Sequence, residues 1–184
     1  MLSVVLLGST TPTQVAEAAV FYAKQEALEM AFPEADDVET KSFFLTQEQI
    51  DHIQNLAQAP IDAKVVAFYI GRKGGNVLGY AFIETHIVRT LPETFLIVLS
   101  PEGTIQRVLT LAFYEPLEYL PTDRWIAQFD NQQLSPKLQL QRHIHGISGS
   151  TLTARAVTRG VRKVLALFQV LIQNSQASQE SVGK

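Results

Sequence analysis

The sequence predicts an α+β domain: an antiparallel sheet of two hairpins plus additional short strands, packed by an N-terminal helix and a long C-terminal helix. Three observations carry this. Two pairs of β-branched and aromatic runs are each divided by a glycine-bearing turn. An amphipathic segment of about six turns closes the chain. The composition is that of a globular protein, with 46% hydrophobic and 18% charged residues among 184. That length suits one domain able to bury a core without cross-links.

At the start, Met1–Gly8 is apolar, Ser9–Gln14 is polar, and Ala16-Glu17-Ala18 has the small-x-small form of a signal cleavage site, although no basic residues lead it. Residues 1–18 therefore read as a signal or signal remnant, with a buried N-terminal strand or helical turn as the alternative. Helix formers over Ala18–Ala31 predict a helix that Phe32-Pro33 stops. An acidic loop, Glu34–Glu39, leads to a short strand at Ser42–Leu45. Thr46-Gln47-Glu48-Gln49 has the capping-box pattern and should open a helix over Gln47–Ala57, ended by Pro60. Residues 19–60 thus read as an N-terminal helical segment.

The period then changes. Lys64–Ile70 and Asn76–Thr85 flank Gly71-Arg72-Lys73-Gly74-Gly75 as one hairpin, and Thr94–Ser100 and Thr104–Tyr114 flank Pro101-Glu102-Gly103 as a second. His86–Glu93 reads as the connection between them, and its His86, Arg89, Thr90 and Glu93 form a polar cluster suited to ligand or partner contacts. Thr151–Ile172 places Val157, Val161, Val164, Phe168 and Leu171 on one helical face, and Gly160 within it implies close packing against the sheet. The Ser- and Gln-rich 174–184 reads as a disordered tail.

Composition excludes several chemistries. With no cysteine and two methionines, disulfides, thiolate-ligated metals, Fe–S clusters and a cysteine nucleophile are ruled out. The net charge of −3, from 15 Lys and Arg against 18 Asp and Glu, argues against nucleic acid as a partner. The charge is uneven, however: Arg142, Arg155, Arg159, Arg162 and Lys163 occur over 142–163 without an acidic residue. His143-x-His145 supplies only two metal ligands, so no metal is expected. Gly146-Ile147-Ser148-Gly149 lacks the final glycine of a hydrolase elbow, Ser150 standing in its place.

The segment that carries chemistry is Ser148-Gly149-Ser150-Thr151-Leu152-Thr153 at the start of the long helix. Glycines allow close backbone approach, uncovered amides point outward and the helix dipole favours an anion, so a phosphate would be well served there. Arg155 and Arg159 follow Thr151 at four-residue steps on the same side of the helix. Simple helix capping by Ser148, Ser150 or Thr151 is the alternative.

This segment, followed by Ala154-Arg155-Ala156-Val157 and an amphipathic helix, resembles the flavinylation motif of the FMN-binding domain family. That family includes the FMN-bearing subunits of the sodium-pumping quinone reductase and of Rnf-type electron-transport complexes. There the pattern is Ser/Thr-Gly-Ala-Thr-x-Ser/Thr, and a dedicated FMN transferase joins the Thr hydroxyl to FMN through a phosphoester. By position, the resemblance implies Thr151 as acceptor, with Ser148, Gly149, Ser150, Leu152 and Thr153 lining the phosphate-proximal part of the site and no catalytic side chain; Arg155, on the same side of the helix as Thr151, is a further candidate contact to the phosphate by its spacing. Ser150 stands where the family has Ala, and His145 where an Asp commonly precedes the motif, so covalent and non-covalent FMN both remain open.

The resemblance implies an FMN-binding domain over 61–173. It further implies an electron carrier rather than a stand-alone enzyme, extracytoplasmic and working with membrane-associated redox proteins. Leu152, Phe113, Tyr114, Tyr119 and Trp125 are candidate ring contacts. A non-flavin interaction domain with a basic helix face and an FMN-dependent reductase of a small substrate are the alternatives.

Overall fold

In a computed structural model the described residues are 19–175. The expected signal segment and nearly all of the expected tail lie outside them. The architecture is the expected α+β class: one antiparallel sheet in the order β1-β6-β5-β4-β3-β2, with helices on both faces. The strands are β1 (Ala19–Val20), β2 (Asp37–Phe44), β3 (Val65–Lys73), β4 (Asn76–Ile87), β5 (Pro92–Leu99) and β6 (Ile105–Phe113). The main helices are α1 (Lys24–Ala31), α2 (Gln47–Ala57), α3 (Asp123–Ile126) and α4 (Thr151–Phe168), the last running on into a π-helical turn over Gln169–Gln173.

Side chains of a strand alternate between faces, and here both faces are covered. Phe95, Ile97 and Leu99 of β5 meet α2 and α4 in the larger core, together with Phe68, Ile70, Tyr80 and Phe82. Leu96 and Val98 turn the other way, onto Ala27, Leu28 and Phe32 of the α1 region. α2 forms where expected. Gln49 donates its backbone N–H to Thr46 Oγ1 at 3.2 Å, and the Thr46 N–H reaches Gln49 Oε1 at 3.0 Å, closing the capping box.

The structure corrects three local expectations. The single helix over Ala18–Ala31 is instead a two-residue strand on the sheet edge followed by a shorter helix from Lys24. Ala19 and Val20 pair with Phe113 and Ala112, so the β-branched and aromatic start of this stretch serves the ladder. The acidic loop before Ser42 is largely strand, since β2 begins at Asp37 and pairs with β3 as far as Phe44. Its charges did not read as a strand because it is an edge strand with mostly exposed residues, two of its neighbourhood's acids being matched to the hairpin turn. Arg72 bonds Glu39, and Lys73 bonds Glu34 at 2.8 Å. Through β1, β2 and α2, residues 19–60 share the sheet and core of the rest of the chain.

The third correction decides the site. His86–Glu93 is not simply a connection: His86 and Ile87 complete β4, Pro92 and Glu93 begin β5, and the two strands form one continuous meander. His86 and Glu93 are direct cross-strand partners. The turn between them is held by Glu115, whose Oε1 accepts the backbone N–H groups of Arg89, Thr90 and Leu91 at 3.0, 3.2 and 3.1 Å. Burial pushes the Glu115 carboxyl up, but those three donors outweigh it and hold the group below its ordinary range.

Beyond Tyr69↔Ala81 the β3–β4 ladder stops, although β3 stays paired with β2 to Val65 and β4 with β5 to Ile87. The sheet therefore opens between β3 and β4. α4 lies across this opening, antiparallel to β4: Gly160 sits against Glu84 and His86, and Leu167 shares a cavity with Phe82 and Ile83.

Candidate functional site

The loop before α4 is anchored at one end and open at the other. Ile144 is fully buried, the Trp125 indole N–H donates to the His145 carbonyl at 2.7 Å, and Gln128 Oε1 accepts the His145 N–H at 2.8 Å. After this anchor the chain emerges. Ser148, Gly149, Thr151, Leu152 and Arg155 are exposed, and Gly149 takes the left-handed φ of 81° that its type permits without strain. A side chain at Gly149 would meet nothing within 4 Å. Access to the turn is therefore unobstructed.

Ser150 is the residue flanking the first turn, yet its side chain makes no capping hydrogen bond. The capping alternative thus lacks the contact it requires, and the amides of the first turn are available to an external acceptor. Ser150 and Thr153 are themselves buried, so they serve the packing with their side chains and could meet a ligand only through their backbone. The Thr151 hydroxyl, at the first helical position, is on the exposed side.

The basic segment divides sharply. Arg155 and Arg159 are exposed and line a recess of about 240 Å³ on one flank of α4. Arg162 is buried, and its guanidinium is spent on four carbonyls. Nε donates to Ala57 O at 2.8 Å, Nη2 to Leu56 O at 2.9 Å, and Nη1 to Ser135 O and Leu138 O at 2.7 and 3.1 Å. Burial lowers its pKa from the usual arginine value. Lys163 is paired with the buried Glu84. A continuous basic helix face over these four residues is therefore absent from the described structure.

The aromatic candidates separate in the same way. Phe113 and Trp125 are buried in packing, and the Arg89 guanidinium stacks 3.9 Å above the Tyr119 ring. Leu152 is 45% exposed, beside the helix start. His143 and His145 are exposed, and among the described residues no three His, Cys, Asp or Glu side chains are arranged to hold a metal ion.

Sequence reasoning reached only part of a second polar centre: it grouped His86 and Glu93 with Arg89 and Thr90, and did not bring in Glu84 or Lys163. Glu84, His86, Glu93 and Lys163 meet beneath α4, with His86 Nε2 3.4 Å from Glu93 Oε2 and Nδ1 3.9 Å from Glu84 Oε1. His86 stacks on Phe95, their ring centroids 5.7 Å apart. Neither imidazole nitrogen and neither Glu93 oxygen makes a hydrogen bond within the described protein. Burial raises Glu84 above the usual carboxylate range, against the opposing pull of Lys163 and His86. The available signal was Gly160: a Cβ there would stand 3.1 Å from Glu84 Cγ and 3.4 Å from His86 Nδ1, the close approach its presence in the helix implied.

Compared with known proteins, the chain matches no family model and no curated sequence. Among the described residues, no helix is long and apolar enough to cross a membrane.

Proposed function

We propose that the chain is an FMN-binding electron-transfer protein, with the flavin phosphate held at the N-terminus of α4. The observation that carries the reading is an exposed Thr151 in the first turn of an 18-residue helix whose flanking Ser150 provides no side-chain cap. The residues fit the group. Uncovered amides and the positive end of the helix dipole suit a phosphate dianion, Gly149 leaves room for it, and Arg155 adds an exposed positive charge.

Thr151 supplies the hydroxyl that a phosphoester would require, so an FMN transferase is the partner for covalent loading. Bound flavin supplies one- and two-electron chemistry itself, leaving the protein to anchor and orient it. Membrane-associated redox proteins are the proposed exchange partners, which makes an extracytoplasmic location part of the same reading. The cavity of about 610 Å³ between β4 and α4, lined by Glu84, His86, Ile87, Ala156 and Lys163, favours a second version, an FMN-dependent reductase that admits a small substrate.

The test is direct: protein produced with and without an FMN transferase is denatured, separated on a gel and inspected for flavin fluorescence. Fluorescence on the band reports covalent FMN, whereas a yellow protein that loses its colour on denaturation reports non-covalent binding. A colourless protein that fails to bind added FMN overturns the proposal.

A further inference from the structure

Arg162 does more than satisfy its own buried charge, because its four bonds bring two glutamines together. Nε and Nη2 hold the carbonyls of Ala57 and Leu56 at the C-terminal end of α2, and Nη1 holds those of Ser135 and Leu138. Gln58 directly follows the first pair, and Gln139 directly follows the second. Their side chains meet, Gln139 Nε2 donating to Gln58 Oε1 at 2.7 Å. Since that oxygen is the acceptor, the Gln58 amide keeps both of its N–H groups as donors and Gln139 keeps one.

Opposite this pair, α4 presents Arg159 and Arg155, three and seven residues before Arg162 and therefore on its side of the helix. Both are exposed, and neither makes a hydrogen bond or ion pair with a described residue. The two walls enclose the recess of about 240 Å³, with Leu140 as an apolar side. Every charged side chain that lines it is an arginine. Arg159 also borders the cavity that holds Asp62 and Glu84, but it pairs with neither.

This lining selects by charge and by donor count. Two positive charges stand without a balancing carboxylate, so a cation is repelled and a neutral molecule leaves them uncompensated. Planar guanidinium forks match the paired oxygens of carboxylate and phosphate groups. The volume lies under the ~300–1,000 Å³ of sites for larger ligands, so the occupant is small. Gln58 takes a left-handed φ of 54° as the C-cap of α2, a place where glycine is common and would supply no amide.

We infer that this recess binds a small dianion carrying carboxylate or phosphate oxygens, with Arg155 and Arg159 balancing its charge from one wall and the Gln58–Gln139 pair donating from the other. It is separate from the first turn of α4, since Arg159 lies eight residues beyond Thr151, about 12 Å by helical rise. It stands without the flavin reading.

Isothermal titration of the full-length chain at low salt, with succinate and separately with inorganic phosphate, tests the site and distinguishes the two sources of such oxygens. Three variants accompany the parent. Arg159→Ala removes a charge from the recess, Gln139→Leu removes an amide donor, and Arg142→Ala removes an exposed arginine that does not line it. Circular dichroism checks each fold, and the exposed, unbonded Arg159 supplies the deciding variant if Gln139→Leu does not fold.

The parent should bind at least one probe. Arg159→Ala should weaken that binding by roughly tenfold or more, Gln139→Leu by roughly threefold or more, and Arg142→Ala by less than about twofold. The more tightly held probe then identifies the ligand as a carboxylate or a phosphate. Binding of neither probe overturns the inference. So does an affinity unchanged by Arg159→Ala, which for phosphate places the ion at the start of α4 and leaves the proposed function standing. An equal loss in Arg142→Ala also overturns it, because diffuse positive charge then holds the ion. With saturating FMN present the probe should stay bound, and stoichiometric displacement by FMN overturns the inference by making the recess part of the flavin site. A chain that binds a probe in the recess but binds no FMN supports the recess and removes the flavin reading.

Discussion

Arg155 and Arg159 stand within two helical turns of Arg162 and Lys163 and are of the same chemical kind, yet the two pairs do opposite work. The first pair is exposed on a helix start without a side-chain cap. The second pair is consumed by the fold, Arg162 by four backbone carbonyls and Lys163 by a buried carboxylate. Position along the axis, rather than helical phase, separates them, since all four lie within about 100° of one another around the helix: the second pair falls where α2, the 135–138 turn and β4 close around it. A run of positive charge in a sequence therefore does not measure the charge available to a ligand.

Arg162 should show the largest effect. Arg162→Met leaves four carbonyls without that donor, and a loss of about 3–5 kcal/mol in unfolding free energy is expected from denaturant titration. A loss below about 1 kcal/mol would break the comparison by placing Arg162 with the dispensable arginines.

Lys163→Met should follow. It strands Glu84 in the core at a cost of about 2–4 kcal/mol, and Lys163→Met/Glu84→Gln should recover part of that loss. Strictly additive losses in the double-mutant cycle would show that the two groups do not depend on each other.

The effect of Glu115→Gln should be smaller, about 1–3 kcal/mol at neutral pH, because a neutral amide accepts the three turn N–H groups more weakly. The native carboxyl titrates below its unfolded value, so its stabilisation is present above the unfolded carboxylate range and is lost as pH falls through the native value. The stability gap between parent and variant should therefore narrow in acid, measured by denaturation at a series of pH values. A gap that widens there would contradict the assigned direction.

Arg155→Ala and Arg159→Ala should change stability least, by no more than about 0.5 kcal/mol. Arg155→Ala should nevertheless weaken FMN or phosphate binding several-fold, with a reduced dependence on salt. Unchanged binding would leave the helix amides as the whole of the anion site.

Much of the fold was legible because local signals and tertiary demands agreed. Thr46 and Gln49 announce α2, the glycine turns announce both hairpins, and the apolar spacing of Val157, Val161, Val164 and Phe168 announces α4. Where burial differed from the usual pattern, the reading failed. The edge strand β2 carries charges that resemble a loop, and Ala19-Val20 is strand because β6 offers an edge to pair with. The exposed half of the candidate site was equally legible, since glycine and hydroxyl residues before a helix have local meaning. The Glu84–His86–Glu93–Lys163 centre was not, because it joins two strands and a helix whose register no short segment contains. His86 and Glu93, read as part of a polar cluster in the connection, and Gly160, read as a close approach, gave only pieces of it.

The central claim concerns the exposed region, and flavin loading at Thr151 tests it most directly. Protein produced with an FMN transferase, and separately mixed with FMN, should carry flavin. Any covalent adduct should map by peptide mass to 143–159 and vanish in Thr151→Val without loss of fold. A chain that remains colourless under both conditions and shows no FMN binding by titration would contradict the account.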